Sequence, residues 1–85
     1  MTRKTPYSEW EAAMGLRLKT LRDERGLSQN TIVRMTGIPK STYLRWEWGQ
    51  GMPPLLAAMK LADAFEITLD ELVGREPPAR KPRGK

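Results

Sequence analysis

Lys40, Ser41, Thr42 and Arg45 fall within six consecutive residues of a polar segment. Side chains of this kind are long or polar, and they can reach the edges of DNA bases. Arg and Lys donate to the O6 and N7 acceptors of guanine, and Ser takes either role. Thr42 can touch a phosphate or a thymine methyl, or simply face solvent as a helix-surface residue. Catalytic chemistry is poorly supplied. The chain has no histidine, which removes the usual general base and the commonest metal ligand. It has no cysteine, hence no disulfide, thiolate or zinc–thiolate site. No nucleophile–base or metal constellation emerges. The expectation is a protein that is not an enzyme and carries no cofactor and no metal.

The elements around these residues read as a helix, a tight turn and a second helix over residues 27–47. Ser28 can cap the earlier helix, Gly37 can stop it in a left-handed conformation, and Pro39 can start the next. Such spacing is the helix-turn-helix arrangement used to read DNA. Ahead of it, Ser8 and Glu11 form a capping box, so a first helix should begin near Glu9. Its apolar stripe is Trp10, Met14, Leu18 and Leu21, and Gly26 ends it. The second helix spans about 29–36 and the third 40–48. The segment Gly49-Gln50-Gly51-Met52-Pro53-Pro54 is a loop by composition, and Pro54 suits the first turn of a fourth helix. Leu55, Met59, Ala62 and Phe65 supply that helix with a buried face. Thr68 and Glu71 form a second capping box that opens a short fifth helix with Leu69, Leu72 and Val73. Gly74 closes it. No alternating strand pattern and no internal repeat is present.

An 85-residue chain is one domain with a compact helical core and no room for a separate sensor or catalytic domain. No apolar run approaches the ~20 residues of a membrane span and no signal-peptide core is seen, so the expected compartment is the cytoplasm, with no membrane partner. The net charge of +5 is unevenly placed. Residues 1–51 carry +4, residues 52–74 carry −3, and residues 75–85 carry +4. A basic front and an acidic rear suit a DNA-facing surface, although surface charge also varies without function.

The pieces Leu27-Ser28-Gln29, Thr36-Gly37-Ile38, Ser41-Thr42, Arg45-Trp46-Glu47 and Ile67-Thr68-Leu69-Asp70-Glu71-Leu72 together resemble the Cro/repressor-type helix-turn-helix domains, the xenobiotic-response-element family. The resemblance covers residues 14–74. It implies an all-α, lambda-repressor-like bundle of five short helices, with the third helix in the DNA major groove. The start of the second would lie over the phosphate backbone. Gln29 takes the family's backbone-contacting position, where free N–H groups and the helix dipole attract phosphate. Lys40, Ser41 and Arg45 take its base-reading positions. Arg22 and Glu47 match a partly buried ion pair that sets the angle of the recognition helix. Tyr43 and Trp46 match core positions. Tyr43 is larger than the aliphatic residue usual there, so its hydroxyl should reach water. Trp48 replaces a polar residue, often Asn, that helps hold phosphate. It either packs on the deoxyribose backbone or covers the core edge. Gln50, in the loop after the third helix, joins the DNA-contacting set. Pro39 replaces a hydroxyl cap, worth ~1 kcal/mol. Val33 stands where Ala is common at the contact of the second and third helices. Glu66 takes the place of a C-terminal glycine, where a positive φ would cost on the order of 1 kcal/mol.

The expected organisation is a flexible basic arm over residues 1–7, a DNA-binding domain over 8–74, and a disordered, basic, Pro-rich tail over 75–85. The tail is either a non-specific phosphate contact or a solubilising appendage. The expected function is sequence-specific binding of double-stranded DNA as a transcriptional regulator, a small phage or bacterial repressor. The alternatives are an antitoxin-like module that also neutralises a protein partner, and a recombination or architectural factor. A homodimer through the side formed by the fourth and fifth helices is the expected assembly.

Overall fold

The computed structural model describes residues 6–74. Five helices and no strand occur among the described residues: α1 (Pro6–Glu24), α2 (Gln29–Thr36), α3 (Lys40–Glu47), α4 (Leu55–Phe65) and α5 (Leu69–Val73). The all-α bundle of five short helices is therefore as the sequence indicated. The expectations for residues 1–5 and for the 75–85 tail lie outside the described residues.

The start of α1 differs from its expected position. The helix begins at Pro6, so Ser8 is helical rather than a cap, and Pro6 and Tyr7 belong to the helix rather than to an arm. The fixed φ of proline, with no N–H to leave unsatisfied, suits a first helical position. At its other end the chain turns through Gly26 at φ 64°. The Leu27 N–H bonds the Arg22 carbonyl at 3.0 Å and the Gly26 N–H bonds that of Asp23 at 3.1 Å. This pair of bonds satisfies carbonyls that the helix end would otherwise orphan.

Local chemistry also sets the later boundaries. Ser28 Oγ accepts from the Thr31 N–H at 3.1 Å and so caps α2. Gly37, at φ 76°, ends α2. Pro39 and Pro54 each sit one residue before their helices, at the N-cap, with no side-chain cap bond. Their extended ψ values of 140° and 164° place them outside the helical turn that Pro54 was expected to join. Helix α3 ends at Glu47, with Trp48 as its C-cap. Thr68 and Glu71 form a reciprocal capping box at α5. Glu66 adopts φ 61°, a left-handed conformation that a side chain disfavours by about 1–2 kcal/mol.

Met14, Leu18 and Leu21 of α1 meet Ile32, Ile38, Tyr43, Trp46, Phe65 and Leu72 in one core. Two expected core sets are corrected. Trp10 is 66% exposed, because it lines an open apolar groove with Ala13, Met14, Met52 and Val73 instead of entering the core. On α4 the buried residues are Ala58, Leu61, Ala62 and Phe65, while Leu55 and Met59 are exposed. Small Ala58 and Ala62 let α4 approach its neighbours closely, and the leucine of the first turn points elsewhere. On α5 only Leu72 is buried, and Leu69 and Val73 remain largely exposed.

Two arginines tie distant helix ends to α1. Arg17 donates from Nε and Nη2 to the Glu71 carbonyl of α5. Arg25 donates from Nε to the Phe65 carbonyl of α4 at 3.0 Å, and its guanidinium lies 5.7 Å from the centre of the Phe65 ring. Each satisfies a C-terminal carbonyl and places positive charge at the negative end of a helix dipole. Gly15 marks a close approach of α1 to α3. A Cβ there would lie 2.6 Å from the Trp46 carbonyl oxygen and 2.7 Å from that of Glu47.

Candidate nucleic-acid interface

The two faces of α3 are chemically distinct. Tyr43 and Trp46 are buried, which seats the helix on the core. Lys40, Ser41 and Arg45 are exposed, and Thr42 is half-buried. Ser41, Arg45 and Trp48 follow one another at intervals of four and three residues, so they share one strip of the helix surface. Trp48 is 66% exposed, which excludes burial in the core proper. Gln50 is exposed in the loop that follows, and its N–H bonds the Arg45 carbonyl at 2.8 Å.

The angle of α3 is held by a network around Glu47. Arg22 of α1 donates to Glu47 through Nε at 2.7 Å and through Nη2 at 3.1 Å. Its remaining Nη1 donates to the Leu27 carbonyl at 2.9 Å. The two side chains are 12% and 3% exposed. Gln29 of α2 donates from Nε2 to Glu47 Oε1 at 3.0 Å. Tyr43 donates its hydroxyl to Glu47 Oε2 at 2.6 Å. The expectation that this hydroxyl reaches water is therefore corrected: burial of the ring brings it onto the carboxylate one turn away. Each oxygen of Glu47 accepts from two donors.

Protonation follows from this arrangement. Burial pushes the Glu47 carboxyl up, but the hydrogen bonds from Arg22, Tyr43 and Gln29 outweigh it and hold the group below its ordinary value. The hydrogen bond to Glu47 raises Arg22 further. Burial, and next the bond to Glu47, push the Tyr43 phenol well above its usual range, so it remains a donor.

The electrostatic result is one-sided. Helices α2 and α3 carry Arg34, Lys40 and Arg45 as exposed cations. Their one carboxylate, Glu47, is buried and neutralised by Arg22. Helices α4 and α5 and their junction carry Asp63, Glu66, Asp70 and Glu71 against Lys60. Among the described residues, the cations of the basic front half thus divide into structural ones, Arg17, Arg22 and Arg25, those on the helix-turn-helix surface, and Lys19, which pairs with Asp23 on α1.

Several of these roles are not obvious in the residues alone. The i,i+4 spacing of Tyr43 and Glu47 was a usable signal. A lone glycine inside a helical pattern also marks close approach, as at Gly15. Nothing local marks Arg17 or Arg25, whose partners lie 54 and 40 residues away. Among the described residues no cluster of acidic side chains fit to hold a metal ion is present, and no helix is long and apolar enough to cross a membrane.

Comparison with known proteins gives a consistent picture. The model of the HTH_3 family, described as helix-turn-helix, matches residues 18–72. The HTH-type transcriptional regulator AnsR of Bacillus subtilis is 45% identical over 60 residues, which span 71% of this chain and 52% of AnsR. The cryptic phage CTXphi transcriptional repressor RstR of Vibrio cholerae is 37% identical over 59 residues, covering 69% of this chain and 53% of RstR. The chain thus spans about half the length of these two relatives. The crystal structure of the restriction-modification controller protein C.AhdI from Aeromonas hydrophila superposes with a TM-score of 0.69 at 37% identity. It covers 73% of this chain and 94% of C.AhdI.

Proposed function

We propose, from the premise that this chain belongs to the HTH_3 helix-turn-helix family, that it is a DNA-binding transcriptional regulator and acts as a small repressor of phage or bacterial type. The observation that carries this reading is the charge pattern of the helix-turn-helix. Its cations Arg34, Lys40 and Arg45 are exposed, while its carboxylate Glu47 is buried against Arg22. In this reading α3 enters the major groove. Lys40, Ser41 and Arg45 contact base edges, and Thr42, Trp48 and Gln50 contact backbone or flanking bases. Gln29 faces a phosphate from the start of α2 while its amide also holds Glu47. Nη and Nζ donors give affinity through phosphate contacts and specificity through base contacts. The protein performs no catalysis and works in the cytoplasm.

A second copy completes the reading. One recognition helix covers few base pairs, so two copies on a pseudo-palindrome place their α3 helices about 34 Å apart. Exposed Leu55, Leu56 and Met59 of α4 and Leu69 of α5 support self-association on that side. Selection of bound duplexes from a random pool tests both parts. A symmetric enriched motif is the expected result. Recovery of no motif rejects sequence-specific regulation, and an asymmetric single-copy site rejects the dimer.

A further inference from the structure

Tyr43 is buried on the core side of α3, away from the exposed strip, yet its hydroxyl is tied to the carboxylate that orients the helix. Glu47 has room for four hydrogen bonds, two on each oxygen. Arg22 Nη2 and Gln29 Nε2 fill Oε1, and Arg22 Nε and Tyr43 Oη fill Oε2. The donors come from three helices. Arg22 grips both oxygens and so fixes the carboxylate against α1, whereas the phenol is the one donor of the four that ties the carboxylate to α3's own preceding turn. Without it the carboxylate stays with Arg22 and Gln29, and the flexible Glu47 side chain lets α3 shift relative to them. We infer that Tyr43 is a positioning residue for DNA recognition: its hydroxyl holds the Glu47 carboxylate fixed to α3, so that the bonds from Arg22 and Gln29 set α3 against α1 and the start of α2.

The inference rests on the DNA-binding reading. Its physical basis is the difference between stability and register. A ring that only fills space stabilises the fold, and Phe would serve equally well in that role. A hydroxyl that sets register acts where geometry is strict, on base contacts within α3. Phosphate contacts by flexible Lys and Arg chains tolerate a small tilt, whereas bidentate base contacts do not.

The test compares the full-length wild type with Tyr43→Phe. The wild type is first used to select a preferred duplex. Affinities of both proteins are then measured for that duplex and for a scrambled one, well below each melting midpoint. Tyr43→Phe should lose roughly tenfold in affinity for the preferred duplex and less than about twofold for the scrambled one. An unchanged ratio of the two affinities, whatever happens to the melting midpoint, overturns the inference and leaves Tyr43 a core residue. Should Tyr43→Phe fail to fold, proton NMR of the wild type decides. The Tyr43 hydroxyl proton should exchange slowly and keep its contact with Glu47 in the DNA complex, and its loss to rapid exchange on binding overturns the inference. A wild type that selects no duplex rejects the regulator reading and this inference together. A wild type that selects one, with an unaltered ratio in the variant, rejects the inference alone.

Discussion

Arg45 sits one turn after Ser41 on the exposed strip of α3, where the core asks nothing of it. Arg45→Ala should therefore leave the melting midpoint nearly unchanged. It should weaken binding to the preferred duplex by about 1–3 kcal/mol and relax the preference at one base pair, as titration and repeated selection would reveal. Glu47 behaves oppositely. Its removal strands the Arg22 guanidinium in a site where 12% of that side chain is exposed. Glu47→Ala should cost about 3 kcal/mol of stability and lower DNA affinity as well, and equal melting midpoints for variant and wild type would reject the buried pair. The same group sets an acid limit. Its folded-state value lies below the ordinary 4.5, so its contribution is fully present above that value and is lost as pH falls through the lower folded value. Melting midpoints should drop across that acid window in the wild type and drop less in Glu47→Gln.

At the scale of elements, the helix-turn-helix is seated by backbone contact as much as by side chains. Gly15 lets α1 lie against the last turn of α3, with backbone atoms of Trp46, Glu47 and Gly49 all within 3 Å of where a Cβ would stand. Replacing a glycine by alanine inside a helix ordinarily adds about 1 kcal/mol of stability. Here the added methyl meets backbone, which cannot swing aside as a flexible side chain would. Gly15→Ala should instead lose about 2 kcal/mol and shift α3 away from α1. Thermal melts and affinity for the selected duplex would show both effects, and a raised midpoint would contradict the close approach. Helices α4 and α5 are held to α1 by Arg25 and Arg17, so loss of either arginine acts on a helix end rather than on DNA.

Along the whole molecule charge is unevenly placed, and a cluster of apolar side chains is exposed on α4. Residues 1–74 nearly cancel in net charge, since residues 1–51 carry +4 and residues 52–74 carry −3. Attraction to DNA then depends on where the charge is placed more than on its sum. Leu55 is 69% exposed and Leu56 64%, which is a large apolar area to leave in water on one short helix. In the dimer reading a second copy covers it. Leu56→Glu should keep the monomer folded, because that side chain lies outside the core, and should abolish pairing. Sedimentation and the mass of the DNA complex would then report one copy where the wild type shows two. Unchanged pairing in the variant would remove α4 from the interface.

Several helix boundaries were legible without coordinates where they depend on neighbours three or four residues apart, although the Ser8–Glu11 spacing misplaced the start of α1, which lies at Pro6. Ser28 with Thr31, Gly37 after Thr36, and Thr68 with Glu71 are local devices, and each forms in the structure. The left-handed Glu66 was anticipated through the family resemblance, in which a glycine usually takes that place. The strip of Ser41 and Arg45, one turn apart on one helix, also follows from spacing. Depth and partnership did not follow. The helical repeat admits more than one apolar arc on α4, and only the position of α1, α2 and α5 decided that Ala58 and Leu61 go inward while Leu55 and Met59 stay out. Trp10 fits the stripe of α1 by period, yet it lines an open groove beside Met52 and Val73 and stays outside the core. Tyr43 was assigned to the core correctly, but the fate of its hydroxyl depended on Glu47 being drawn inward by Arg22 from another helix. Local hydrogen bonding and periodicity thus determined the five helices and the polar strip. The choice of buried face, and the network that aims the strip, required the helices to be packed together, because both are properties of contacts between residues far apart in the chain.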